Sequence, residues 1–334
     1  MLTYTIRRLV LAVPTLLVIA AVIFTIVKLS PSDPTAGLPL TIPPEVREQI
    51  RESLGFNDPI PVQFLLWLKQ FVVTEPLHWS NRWFGTEFEV GQRMISYQTR
   101  SPVFDLIAQR LPQTLWVVGI SYVVGILVAV PLGIISAYKQ YSIFDQLSTL
   151  LAMIGFSIPT FFTGVTLILI FSVTLGWLPS IYDTTHVVND WNSLVFQVKQ
   201  SIMPIAVLGL FNAAQISRFM RASMLDNLTQ DYVRTARAKG LGERTVVLLH
   251  VLRNSMIPVV TVIALNLPSV FGGALITEQV FQVNGLGQLL ILAIQGGDVP
   301  MVQTVTVMFA VLIVLFNLVA DVLYGLLDPR IRYD

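Results

Sequence analysis

The chain contains no cysteine, and only 12% of its 334 residues are charged. Without cysteine there are no disulfides, iron–sulfur clusters or thiolate zinc sites. A soluble domain carries roughly 25% charged residues, so half that share, with a mean hydropathy of +0.70, excludes an ordinary cytosolic globule. It also excludes a disordered chain, which is charge-rich and apolar-poor. The net charge is +1, so there is no basic excess for nucleic acid. No Gly-x-x-x-x-Gly-Lys-Ser/Thr occurs, so the chain does not bind ATP through a P-loop. His-Glu-x-x-His and Gly-x-Ser-x-Gly are missing too, and His78, His186 and His250 are scattered, which argues against a metal or nucleophilic site.

What the chain does have is long uncharged stretches. A span needs roughly 20 apolar residues, and six candidates occur: Leu9 to Val27, Leu111 to Tyr138, Gln146 to Tyr182, Gln200 to Ser217, Asn254 to Thr277 and Val299 to Ala320. The third is too long for one helix. Gly176-Trp177-Leu178-Pro179 is expected to end it near Ser172, with Trp177 at the headgroup level. Leu9 to Val27 is long for a signal-peptide core, and no small-residue cleavage pattern follows at Ser30 to Pro34. Prolines 14, 112, 131, 159, 204, 258 and 268 lie in or beside spans, and glycines 119, 125, 133, 155 and 164 punctuate the second and third. They suit close helix packing, and equally a bundle of bent helices that rocks.

Lys and Arg in short loops set orientation. With the N-terminus inside, the inner segments hold Arg7, Arg8, Lys139, seven basic residues from Arg218 to Arg253, Arg330 and Arg332; the two short outer loops hold only Lys199. The expectation is an all-α membrane protein of six transmembrane helices with both termini cytoplasmic. Residues 1–29 form an N-terminal region with the first helix, residues 30–110 an extracytoplasmic loop or cap, residues 111–327 the core with helices two to six, and residues 328–334 a tail.

Within the cap, Pro43-Pro44-Glu45 starts a short helix to Leu54, stopped by Gly55. A second helix is expected from Pro61 to about Val72, with Phe64, Leu65, Leu68 and Phe71 on one face. The aromatic run continues through Trp79, Trp83, Phe84 and Phe88. Such a cap either packs on the bundle or offers a docking surface for something delivered from outside.

The cytoplasmic loop at residues 218–255 is the most informative. Thr229 or Asp231 can cap a helix that runs to Lys239, where Gly240 can take the left-handed C′ position. Gly242 permits a second bend, and Glu243 to Arg253 resumes a helix into span five. Thr235, Ala236, Ala238 and Gly240 form a small-residue ridge flanked by Arg234, Arg237 and Lys239. That ridge suits a cleft on another protein, although basic inner loops are also ordinary topology signals.

Asp231 to Leu241, followed by Leu252 to Pro258, resembles the cytoplasmic loop of bacterial ABC importer permeases, most of all the dipeptide/oligopeptide branch. Arg7-Arg8, Leu54 to Gln63, Arg110 to Leu115, Glu278 with Phe281, Gly285-Leu286-Gly287, Asp298 with Pro300, and Leu326 to Arg332 carry the resemblance along nearly the whole chain. It departs from the general permease pattern at Arg234-Thr235-Ala236 and Arg253, in ways that look typical of the peptide branch. It also departs at His78 to Ile95, where the expected Gly-Asp-Leu-Gly stretch is missing.

The resemblance implies a type I ABC importer permease fold in the bacterial inner membrane, and a non-catalytic pore subunit with no cofactor of its own. ATP and magnesium would sit on two partner ABC ATPase subunits. A homologous second permease subunit and an extracytoplasmic substrate-binding protein would complete the system. Arg234, Thr235, Ala236, Arg237, Ala238, Lys239, Gly240, Leu241 and Gly242 would couple to the ATPases. The cargo implied is a di- or oligopeptide, with a nickel chelate, glutathione or a sugar as alternatives. Glu278, Asp298, Asn317 and Asp321 are candidates for a gate or translocation path. Paired structural roles at the span ends, or an Asn317–Asp321 packing contact, are the competing reading. An ion-driven secondary transporter would instead need repeats and mid-membrane carboxylates, which the sequence does not display.

Overall fold

The computed structural model describes residues 2–29, 35, 41–53 and 55–327, with side chains for all but residues 2–4, 268–273 and 323–327. The expected tail at residues 328–334, with Arg330 and Arg332, lies outside the described residues, as do Ser30 to Pro34 and Leu54. All regular structure among the described residues is helical, apart from one isolated antiparallel bridge between Ile95 and Pro102.

Among the described residues, five helical stretches are long and apolar enough to cross a membrane: Thr5–Leu29, Val103–Tyr138, Trp191–Leu228, Glu243–Leu267 and Val299–Val322. Ile143–Ser157 and Thr160–Thr174 make a sixth if taken together, but they are bent by 104°. The third stretch is therefore two helical arms meeting at a sharp break, where the sequence had suggested one helix to about Ser172. Pro159 is the cause. Its ring disfavours helical backbone at the preceding residue, and Ile158 is extended at φ −81°, ψ 127°.

The chain divides into two compact units. The first comprises Met1–Leu9, Gln113–Asn284 and Ile313–Asp334. It contains most of α5 (Val103–Tyr138), α6 (Ile143–Ser157), α7 (Thr160–Leu167, continued as a π-turn to Thr174), α8 (Trp191–Leu228), α9 (Asp231–Ala238), the short α10 (Glu243–Thr245) and α11 (Leu252–Phe281). Helices α5 and α8 touch backbone to backbone. A Cβ on Gly125 would lie 3.0 Å from the Gly209 carbonyl oxygen, and one on Gly133 only 2.5 Å from Met220 Cβ. Small residues thus supply dispersion contact where lipid removes any hydrophobic drive between helices.

The second unit comprises Val10–Pro112 and Gly285–Leu312. It holds most of α1 (Leu2–Leu29), α2 (Pro44–Ser53), α3 (Ile60–Lys69), α4 (Glu75–Phe84), α12 (Leu286–Gln295) and the start of α13 (Val299–Leu327). Helix α2 stops before Gly55, which has φ +63°. Helix α3 runs through a π-turn at Gln70–Thr74 straight into α4, past the expected end at Val72. The inward face is Phe64, Trp67 and Phe71, which pack in series with Phe24 at 5.3–6.1 Å between ring centroids, edge-on, tilted or stacked. Leu65, expected on that face, is exposed.

The stretch from His78 to Ile95, which lacks the expected Gly-Asp-Leu-Gly pattern, is pinned by an ion triad. Arg93 Nη2 lies 2.8 Å from Glu75 Oε2 and 2.9 Å from Asp105 Oδ1. Burial alone would lower the Arg93 pKa, but hydrogen bonds to Asp105 and Glu75, with both charges, hold it well above its usual range.

Candidate functional site

The loop after α8 begins where that helix ends at Leu228, with Thr229 as its C-cap. Gln230 turns extended, at φ −73° and ψ 152°, and serves as N-cap of α9 without a side-chain cap bond. Neither Thr229 nor Asp231 takes that position; Asp231 is the first helical residue, where its charge suits the helix N-terminus.

Helix α9 has two faces. Val233 and Ala236 are buried at 0% and 6% exposure in a core cluster with Met220, Met224, Val246, Val247 and Val251. Asp231, Arg234, Thr235 and Ala238 are exposed, and so is the turn from Lys239 to Gly242. Ala236 therefore belongs to the loop's own packing and not to an outward ridge. The three-residue spacing from Val233 puts it on the inner face of the helix.

The elbow is a Schellman motif. Leu241 N donates to Ala236 O at 3.3 Å and Gly240 N donates to Arg237 O at 2.9 Å, with Gly240 at φ +76°. Nothing lies within 4 Å of where a Gly240 Cβ would stand, so the need for glycine is conformational. Gly242, by comparison, has φ −59°, which any residue adopts, so it is not a second obligatory hinge. Across the elbow, Arg237 Nε and Nη2 donate to Glu243 Oε2 and Oε1 at 3.2 and 2.7 Å. The Glu243 bond raises the Arg237 pKa further. Arg234 reaches Asp231 at 3.3 Å, with both side chains largely exposed.

Beyond Glu243, the helix into span five passes through a π-turn at Val246–Val251. Val246, Val247 and Val251 are the residues that meet Val233 and Ala236. The loop is thus wedged onto the segment that leads into α11, and any load on its outer face reaches α8 and α11 through packed side chains.

The four candidate path residues do not form one constellation. Glu278 is fully buried and accepts from Thr114 Oγ1 at 2.7 Å within the first unit. Asp298, in the second unit, accepts from the backbone N–H groups of Tyr97 at 3.0 Å, Gln98 at 3.3 Å and Met301 at 3.4 Å, and from Ser96 Oγ. It caps α13 while holding the 96–98 turn. Burial, with the Asp298 charge, pushes the Tyr97 phenol up to about 12. Asp321 pairs with Arg8 at 3.1 Å and Asn317 is exposed, so the expected Asn317–Asp321 contact is replaced by an ion pair between sequence-distant residues.

Sequence reasoning missed Asp145. It is buried on the first turn of α6 and meets Arg221 of α8. The one available hint was an acidic residue at the edge of an apolar stretch, with an arginine near the end of another.

Residues 129–333 match the family described as Binding-protein-dependent transport system inner membrane component, and residues 1–118 match its N-terminal region. The chain belongs to this family. It is 38% identical to the Oligopeptide transport system permease protein AppB of Bacillus subtilis (strain 168), across 100% of both chains. It is also 38% identical to the Glutathione transport system permease protein GsiC of Escherichia coli (strain K12), again across 100% of both. Among solved structures it resembles the inward-facing MetNI methionine ABC transporter, with TM-score 0.53 and 19% identity over 67% of this chain and 97% of that one. A second likeness is to an amino acid ABC transporter, with TM-score 0.50 and 12% identity over 68% and 95%. These two carry the fold alone: a type I ABC importer permease. The permease is a multi-pass membrane subunit of an ABC importer, and the loop from Asp231 to Gly242 lies inside the matched region.

Proposed function

We propose that this permease moves peptides across the bacterial inner membrane as one half of a pore. The other half is a homologous second permease. Two ABC ATPase subunits binding ATP and magnesium drive the cycle from the cytoplasm, and an extracytoplasmic binding protein delivers cargo. Both termini and the Arg234-to-Gly242 loop face the cytoplasm, in keeping with the excess of Lys and Arg on that side.

The observation that carries the reading is the two-faced α9. Its outer face and elbow are free for a partner, while Val233 and Ala236 are fixed in the permease's own core. A partner that grips the outer face can therefore move α8 and α11 as solid bodies. The nearly full-length likeness to an oligopeptide permease supports the cargo class.

The test uses the complete transporter in vesicles, with uptake of a labelled tripeptide and ATP hydrolysis measured together. Ala238→Trp alters the outer face without touching the core. It should leave assembly and basal hydrolysis in place and abolish the stimulation by loaded binding protein. Full coupled uptake in that variant would remove the loop from the mechanism. Glutathione is a second reading for the cargo, favoured by the equal identity to a glutathione permease. Competition of tripeptide uptake by excess glutathione distinguishes the two.

A further inference from the structure

A cavity of about 360 Å³ lies in the first unit, among α5, α6, α7 and α8. Its two ends differ in chemistry. At one end are Arg218 and Arg221 of α8, with hydroxyls of Ser148 and Thr149 from α6. At the other are Val128, Ile158 and Val207, with Thr160 and Thr163 of α7 beside Ile158. On α8 the lining runs from Arg221 back to Val207, about 21 Å at 1.5 Å per residue. The groove is a cationic head on a long, mostly apolar trough.

The two arginines are not equivalent. Arg221 is committed to Asp145. Arg218 is exposed and has no carboxylate partner among the described residues. Apolar lining residues are also open at the surface: Leu210 is 54% exposed and Leu151 65% exposed. On a membrane span, surface of that kind is covered by lipid or by protein. An unpaired cation at the mouth, on the side richest in Lys and Arg, matches a negatively charged amphiphile whose tail follows the trough.

We propose that this groove binds one anionic phospholipid of the cytoplasmic leaflet, with Arg218 on the headgroup phosphate and the acyl chain along α6 and α8. The leaflet assignment rests on the orientation proposed above; the binding itself does not, and the test is made in detergent, where orientation has no part. A lipid seated there bridges the two arms of the bent third span to α8, the helix that leads into the coupling loop. Occupancy would stiffen that connection.

The intact detergent-solubilised transporter is titrated with phosphatidylglycerol or with phosphatidylcholine of the same chain length, and retained lipid is counted by native mass spectrometry. One phosphatidylglycerol should be held about fivefold more tightly than phosphatidylcholine, the contribution of one cation at a lipid headgroup. Arg218→Gln should erase that preference and Arg218→Lys should keep it, which separates charge from misfolding. Leu210→Trp should displace both lipids by filling the trough. Two outcomes overturn the site. One is equal retention of phosphatidylglycerol by the parent, Arg218→Gln and Leu210→Trp proteins, which means annular lipid only. The other is quantitative cross-linking of Leu210→Cys to a second polypeptide in the intact transporter, which means that protein covers the groove.

Discussion

Arg221 grips Asp145 with two parallel bonds, Nε to Oδ1 at 2.6 Å and Nη2 to Oδ2 at 2.8 Å. The same carboxylate accepts from Tyr141 N at 2.9 Å and from Ser136 Oγ, so one buried group ties the end of α5, the start of α6 and the last turns of α8. Fork-to-carboxylate pairing of this kind adds geometric definition as well as energy. It fixes the foot of the bent third span against the helix that leads into α9.

Removing one partner of a buried pair strands the other. Arg221→Ala should therefore destabilise the permease toward the lower end of about 3–5 kcal/mol, since the guanidinium is partly exposed. Thermal unfolding of the purified transporter in detergent reads this as a clear drop in Tm. Arg221→Lys should recover only part, because an ammonium cannot make both bonds. An unchanged Tm in Arg221→Ala would show that the pair does not hold these helices.

Two tryptophan substitutions two residues apart should fail differently. Ala236→Trp overpacks the cluster around Met220 and Val246, at a cost of about 1–3 kcal/mol or more, and should lower the yield of folded protein. Ala238→Trp faces outward and should give normal yield with uncoupled ATP hydrolysis. Expression level and ATPase stimulation, measured side by side, separate the two. The same loss of yield in both would mean that the outer face is also structural.

Gly240 must hold φ +76°. A β-branched residue there is strongly disfavoured, so Gly240→Val should unwind the elbow and reduce coupled transport steeply. Gly242, at φ −59°, should accept alanine with transport nearly unchanged. Arg237→Ala opens only an exposed pair, and its effect on stability should stay within about 1 kcal/mol. Uptake and Tm on the three variants test this order; greater sensitivity at Gly242 than at Gly240 would contradict it.

Because the chain has no cysteine, single-cysteine variants report sidedness directly. A cysteine at the exposed Gln230 should resist an impermeant maleimide in intact cells and react after permeabilisation. One at Val187, in the exposed stretch between the third and fourth spans, should react in both. Labelling of Gln230→Cys in intact cells would reverse the orientation.

Asp298→Ala would leave the Tyr97 and Met301 N–H groups without their acceptor. Loss of an N-cap costs about 0.5–2 kcal/mol, and the buried amides add to it. Faster hydrogen exchange should appear at residues 96–101 and 299–302, with peptide uptake lowered less than in the Gly240→Val protein. Abolished uptake with unchanged exchange would instead make Asp298 part of the cargo path.

Much of this architecture is written in one dimension. Apolar runs fix where spans lie, because hydrocarbon tolerates neither charge nor unpaired backbone. Loop arginines and lysines bear on orientation, and a glycine after Lys239 marks the elbow, because left-handed backbone has few occupants. These are local signals, carried by residues near one another in the chain. Ala236 and Ala238 are the same residue type, and only the three-residue spacing from Val233 hints which of them turns inward; the packing against Met220 and Val246 decides it. The sequence could not pair Asp145 with Arg221, Asp321 with Arg8 or Asp298 with the 96–98 turn. Each pairing brings together groups 76 or more positions apart, and whether a carboxylate near a span end meets an arginine, a backbone amide or water depends on how helices pack in three dimensions. Pro159 is visible in the sequence as one of several prolines in or beside spans, but that the chain bends there by 104° is seen only in the structure.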